Sequence, residues 1–212
     1  MSLIDPARAL IFRITHISNV PWLLEHGLHC RNAPEFDPNF RNIGSADLIG
    51  RRHHRPVPVP PGGTLSDYVP FYFTPYSIML FNIKTGYGGV TRVPNSEIII
   101  LVSSLRKVAE LGLAFVFTNQ HAYPQTAQYF NRLDDLGQVD WPLLRSRDFR
   151  HDPEDPGKKE RYQAEALIHG QLPLSGLLGI GCHSPAAEAQ LQAELKKRNL
   201  SLEIVVRPNW YF

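Results

Sequence analysis

The chain has 212 residues, 43% hydrophobic and 20% charged, which is the composition of a folded globular protein and excludes wholesale disorder. A chain of this length buries about 70% of its unfolded surface, so folding requires neither a disulfide nor a metal. The 22 Lys and Arg against 20 Asp and Glu leave a net charge of +2, too small to point by itself to a nucleic-acid partner, so that case rests on where the charges sit.

The 18 prolines and 15 glycines predict long ordered loops rather than a helical bundle. Cys30 and Cys182 form neither a CxxC pair nor a metal-ligand spacing, and read as two reduced, buried thiols, with a single distant disulfide as the alternative. Met1-Ser2-Leu3-Ile4-Asp5-Pro6 has no basic segment followed by an apolar one, and no apolar run approaches the ~20 residues that span a bilayer. The expectation is a soluble, cytoplasmic protein with no membrane partner and no metal.

In chain order, residues 9–15 predict a short buried strand with Arg13 pointing outward. Ser18 or Asn19 can cap the next helix, with Pro21 in its first turn and Gly27 as its stop, before a short strand through Leu28 and Cys30. Residues 32–67 dissolve into Pro, Gly, Asn and His around a short helix at 45–52, the pattern of a functional binding loop or of disorder. Strands are predicted at 69–73, 97–102 and 114–118, with a helix at 104–111. A second irregular stretch, 119–159, holds a predicted helix at 127–133. Strands at 164–169, 176–182 and 202–206 and an amphipathic helix at 185–197 complete one α+β domain, 1–212, with mixed sheets.

Candidate chemistry clusters in five places. His16, at the end of the first strand, reads either as a ligand-orienting histidine or as a satisfied strand-end residue. Arg51-Arg52-His53-His54-Arg55 suits phosphate or carboxylate through arginine's donor fork, or is a solvated charge run. Tyr76 and Met79, in Thr74-Pro75-Tyr76-Ser77-Ile78-Met79, can wall a stacked base or pack in the core. Arg92, Arg145, Arg147 and Arg150 place basic groups among loop aromatics, as a single-stranded nucleic-acid groove needs, although Asp134, Asp135, Asp140 and Asp148 dilute them. Glu165, beside Ala166, Leu167 and Ile168, is costly to bury unless paired or used, and a carboxylate in a cleft serves as a general base or stabilises an oxocarbenium ion. Walker A, GxGxxG, HExxH and GxSxG motifs are absent.

Four segments in order carry a resemblance: Ile14-Thr15-His16-Ile17-Ser18-Asn19; the neighbourhood of Arg51; Val69-Pro70-Phe71-Tyr72-Phe73 with Met79-Leu80; and Phe117-Thr118-Asn119-Gln120-His121-Ala122, closed by Arg161-Tyr162-Gln163-Ala164-Glu165. Together they resemble the DarT family, the DNA ADP-ribosyltransferase toxins of DarT–DarG toxin–antitoxin systems. The resemblance implies an ADP-ribosyltransferase-like α+β fold in which two mixed or antiparallel sheets frame an NAD cleft. It implies transfer of ADP-ribose from NAD to a base in single-stranded DNA, thymine before guanine, with release of nicotinamide and a block of replication. A DarG-type macrodomain antitoxin is the implied partner. The implied cofactor-binding residues are Thr15, His16, Ile17, Gly27, Leu28 and Arg51, the last in an NAD-binding element over about 32–67. Arg51, Glu165 and His121 are the implied catalytic set, with Glu165 closing an ADP-ribosylating turn-turn loop over about 118–164. Tyr76, Ser77, Met79, Arg92, Arg145, Arg147 and Arg150 are expected to border the DNA, with Tyr76 standing where an arginine is frequent in the family. The rival readings are an ADP-ribosyltransferase of RNA or protein and a non-catalytic single-stranded nucleic-acid-binding module.

Overall fold

The long apolar runs of the sequence become the middle of a sheet. The computed structural model describes residues 3–212. The strands are β1 (Leu10–His16), β2 (Leu28–His29), β3 (Tyr68–Tyr72), β4 (Ile98–Ser104), β5 (Phe115–Thr118), β6 (Tyr129–Phe130), β7 (Glu165–His169), β8 (Gln171–Leu172), β9 (Gly179–Cys182) and β10 (Ile204–Val206). The helices are α1 (Val20–His26), α2 (Ala46–Arg52), α3 (Ile78–Thr85), α4 (Leu105–Glu110), α5 (Trp141–Ser146), α6 (Lys158–Arg161) and α7 (Pro185–Lys197). Eight strands make one sheet in the order β10-β9-β4-β1-β3-β7-β5-β6, and β2 pairs with β8 in a second, two-stranded sheet.

The large sheet is antiparallel except where β10 runs parallel to β9. β1 and β4 pair along their whole length, from Leu10 opposite Ser104 to His16 opposite Ile98. Ile98, Ile99, Ile100 and Leu101 are fully buried, so both faces of β4 are covered and the strand carries no polar alternation. Burying each such side chain contributes about 1.5–3 kcal/mol. α7 starts where the sequence predicts: Ser184 Oγ accepts from Ala187 N, Pro185 opens the first turn, and Leu191 and Leu195 face the core. Cys30 and Cys182 are buried, free thiols. No helix among the described residues is long and apolar enough to cross a membrane.

Two segments depart from the sequence reading. The helix expected at 127–133 is instead the edge strand β6, paired with β5 through Phe117 opposite Phe130 and Thr118 opposite Tyr129. The stacked rings of Phe117 and Phe130, 5.3 Å apart, and three hydrogen bonds between Asn119 and Gln128 reward the strand, overriding local helical preference. Past β3 the expected aromatic turn runs directly into α3, because Ser77 Oγ accepts from Leu80 N and buries Ile78, Leu80 and Ile83.

The two long irregular stretches are held by specific contacts. Asn19 clamps the first: its Nδ2 donates to Thr15 Oγ1 (2.9 Å) and Arg41 O (3.0 Å), while its Oδ1 accepts from Arg41 N (2.8 Å). In the second, Arg161 binds Asp155 and Asp140, Lys158 binds Asp148, and Trp141 Nε1 donates to Leu136 O. Gly27 closes α1 at φ +80°, and a Cβ there would sit 2.6 Å from Leu172 O, so β8 packs against bare backbone. Gly27→Ala is expected to cost more than about 2 kcal/mol, read as a lowered midpoint in chemical unfolding; an unchanged midpoint would contradict this packing.

Candidate active site

Glu165 opens β7 opposite Tyr72 of β3, and its backbone N donates to Thr118 Oγ1 at 3.1 Å. The residue is 1% exposed. Its Oε1 accepts from Ala122 N at 3.0 Å and its Oε2 from Arg52 Nη1 at 2.8 Å. His121 Nε2 stands 3.7 Å from Oε1. Burial alone would raise this carboxyl, but the charges of Arg52 and His121 and the Ala122 N–H outweigh it, holding Glu165 below the ordinary carboxylate range. The group is therefore an ionised carboxylate at neutral pH.

Arg52 reaches Glu165 because of the phase of α2. Ser45 caps this helix through Leu48 N, fixing where it begins. Consecutive helical residues turn by about 100°. Arg51 thus lies on the outer face, its side chain 57% exposed and paired with Asp47 one turn back at 2.9 Å. Arg52, 11% exposed, turns inward with Leu48 and Ile49. Arg52, and not Arg51, is therefore the arginine that meets the carboxylate. Arg52 Nη2 is buried with no hydrogen-bond partner among the described residues, a donor left for whatever enters the cleft.

A cleft, partly open to solvent, spreads in front of the pair, lined by Thr15, Ser45, Tyr72 and Met79 among others. Arg13 and Phe40 line this cavity and two neighbours, so the three are parts of one groove. Gly27 and Leu28 line the second of them with Trp22 and Phe36. Arg13, outward in the sequence reading, does leave the core face of β1, but outward here means onto the cleft floor. Its Nη1 donates to Pro70 O at 2.9 Å, and no carboxylate pairs with it among the described residues. Burial and the charge of Arg52 pull its guanidinium down to about 10, still cationic at neutral pH.

The remaining expected site residues divide. Thr15 lines the cleft, but His16 does not: its Nδ1 accepts from Ser18 N at 3.0 Å, and its Nε2, which therefore carries the proton, donates to Glu97 Oε2 at 2.9 Å. Ile17 is buried in the core. Met79 lines the cleft beside Glu165, and Ser77 serves as the cap of α3. Tyr76 is buried with the Arg147 guanidinium 3.6 Å above its ring. Arg92 Nε donates to Thr85 O, Arg145 reaches Ile4 O, and Arg150 folds back on Asp148. Local sequence hid Arg13 and Arg52, although Asp47 four residues before Arg51 signals which arginine faces solvent.

A glutamate at a strand start, fixed by an arginine from one long loop and by the backbone of another over a groove floored by mixed sheet, is the site of an ADP-ribosyltransferase fold. Residues 12–212 match the family model described as DarT, ssDNA thymidine ADP-ribosyltransferase. A relative from Escherichia coli O127:H6 (strain E2348/69 / EPEC), named DNA ADP-ribosyl transferase, is 54% identical over 99% of this chain and 96% of its own. The structure of Thermus sp. 2.9 DarT in complex with ADP-ribosylated ssDNA aligns at a TM-score of 0.90 and 33% identity over 100% of both chains. The same protein in complex with NAD+ aligns at 0.83, covering 97% of this chain and 98% of that one. The chain belongs to the DarT family, and is an NAD-dependent DNA ADP-ribosyltransferase.

Because Glu165 is depressed in the folded state, its ion pair stabilises the fold above the ordinary carboxylate range, and that contribution disappears as pH falls through the folded value. Arg52→Ala is expected to move the Glu165 titration upward and to lower stability at neutral pH by about 3 kcal/mol. Arg51→Ala, which loses only an exposed pair, is expected to change neither by more than about 0.5 kcal/mol. Carboxyl NMR titration and unfolding of the two variants read this contrast, and equal effects would refute the placement.

Proposed function

We propose that this chain transfers ADP-ribose from NAD to thymine in single-stranded DNA, as the toxin of a toxin–antitoxin pair. In this reading it acts in the cytoplasm, its modification blocks replication, and a DarG-type macrodomain antitoxin removes the adduct. The observation that carries the reading is the ionised Glu165 carboxylate, held from two loops at the foot of a groove carrying two otherwise free guanidinium edges.

Breaking the bond between nicotinamide nitrogen and ribose C1′ sends the electron pair to nicotinamide and leaves positive charge on the ribose. A carboxylate already in place stabilises that charge without reorganising. Thymine N3 then bonds to C1′ and gives up its proton. Arginine stays protonated at any working pH, so Arg52 serves as an electrostatic partner for the deprotonating base and as the anchor of Glu165. It takes the part the family resemblance gave to Arg51. His121, its Nε2 3.7 Å from the carboxylate, is the side chain placed to take the thymine N3 proton.

Arg13 and the free edge of Arg52 suit the pyrophosphate of NAD, since guanidinium forks bind phosphate oxygens in pairs. Thr15, Gly27 and Leu28 line the groove along which the remainder of an elongated dinucleotide extends. His16 supports this wall by positioning: it ties the end of β1 to Glu97, which also meets Arg41 of the first loop at 3.4 Å. Met79 and the Tyr76–Arg147 pair border the side from which the acceptor base arrives, with Arg92 beyond them.

Mass spectrometry of single-stranded oligonucleotides incubated with enzyme and NAD is expected to show one added ADP-ribose on thymine-containing strands, and none with Glu165→Ala. Adducts only on guanine would move the target base, and NAD consumption without any DNA adduct would refute the acceptor. Arg13→Ala is expected to raise KM for NAD roughly tenfold or more, the worth of a lost charged hydrogen bond. An unaltered KM for NAD would remove Arg13 from the pyrophosphate site.

A further inference from the structure

Tyr87 is the most exposed large hydrophobic side chain among the described residues, at 62%. Its mount is built for exposure. It sits in a turn where Gly86, Gly88 and Gly89 all have positive φ, at 75°, 66° and 74°, a backbone that side-chain-bearing residues rarely adopt. The turn is also fixed. Gly86 N donates to Asn82 O at 2.7 Å and Arg92 Nε to Thr85 O at 2.9 Å. A Cβ on Gly86 would lie 2.9 Å from Arg92 Nε, so the glycine lets the arginine lie across the base of the turn. The phenol ring is thus held outward by ordered backbone.

Two cations, one near this ring and one at the base of its turn, meet no carboxylate among the described residues. Lys159 Nζ lies 5.8 Å from the ring centroid, and Arg92 packs under the turn. The contrast with neighbouring cations is informative, because Lys158, Arg150 and Arg161 are all neutralised by aspartates of their own loop. Sequence neighbours and a few contacts link the active site to Tyr87. Met79 lines the cleft with Glu165, and Tyr76, three residues earlier and before the α3 cap, carries Arg147 on its ring. Arg147 is itself held at φ 56°, a conformation that a non-glycine residue adopts at a cost. Asp148, next in sequence, binds Lys158 at 2.9 Å, and Lys158 is followed by Lys159 over Tyr87.

Aromatic faces alternating with unneutralised cations match a single-stranded polynucleotide, whose bases stack on rings and whose phosphates seek positive charge. We propose that Tyr87, with Lys159 and Arg92, is a stacking platform for a nucleotide flanking the modified one, on one side only. This assignment rests on single-stranded DNA being the acceptor. The ring supplies the π-face, Lys159 and Arg92 contact the adjoining phosphates, and the glycines keep the ring clear of the core.

The test uses three oligonucleotides sharing one target base: a minimal one, one extended at the 5′ end and one extended at the 3′ end. The wild-type KM for DNA is expected to fall on extension at one end. Tyr87→Ala is expected to abolish that gain, roughly fivefold or more, the worth of one stacked base. Tyr87→Phe, which keeps the ring, is expected to retain it. The ratio of KM between minimal and extended substrate is the readout, so a general loss of activity does not imitate the effect. A wild-type KM indifferent to extension, or an intact ratio in Tyr87→Ala, overturns the platform while leaving the acceptor assignment in place. Absence of any DNA adduct with the wild-type enzyme overturns the acceptor assignment, and the platform with it.

Discussion

The buried charge of Glu165 is the constraint on which the rest of the site depends. An ionised carboxylate away from water is tolerated only where charge and hydrogen bonds replace its hydration. Here the replacements come from distant parts of the chain: the guanidinium of Arg52 is 113 residues away and the Ala122 N–H is 43 residues away. The first belongs to the loop that follows β2 and the second to the loop that leaves β5. A single carboxylate therefore draws two long irregular segments against one strand, and the cleft is the space between them. The sheet supplies what the loops lack, since β7 is paired on both sides, with β3 and β5. The stiff element carries Glu165, while the loops carry the groups that hold it and contact the substrate.

This division explains what was legible in the sequence. β1, β4 and β7 are interior strands, so continuous burial wrote them as apolar runs, and Glu165 stood out because a carboxylate interrupts that pattern. The family resemblance was legible for a related reason, its segments being those around the cleft. Arg51 and Arg52 were not separable by composition, because only the phase of a seven-residue helix decides between them. The role of Arg13 was not legible for a different reason: alternation along a strand tells which face a side chain takes, not whether that face meets solvent or a groove. β6 is two residues long and exists through its pairing with β5, which no local pattern encodes. Nor does composition tell that Arg150, in the charged second loop, folds back on Asp148 of that same loop.

The same accounting reconciles a net charge of +2 with a polyanionic acceptor. Most exposed cations of the second loop are spent on ordering it, which an irregular segment without a core of its own requires. Among the cations without a carboxylate are Arg13 in the cleft, Arg147 over Tyr76, and Arg92 and Lys159 near Tyr87. Each of these four is fixed by an aromatic ring, a carbonyl or a glycine turn. Attraction arising from a handful of placed cations acts within about a Debye length, ~8 Å at physiological ionic strength. Such a surface discriminates by position: it draws a flexible strand whose bases are free to stack, and offers little to a duplex whose bases are already stacked on each other. Near-neutral overall charge is then the condition for selectivity, because a strongly basic surface would hold any nucleic acid whether or not a base could reach Glu165.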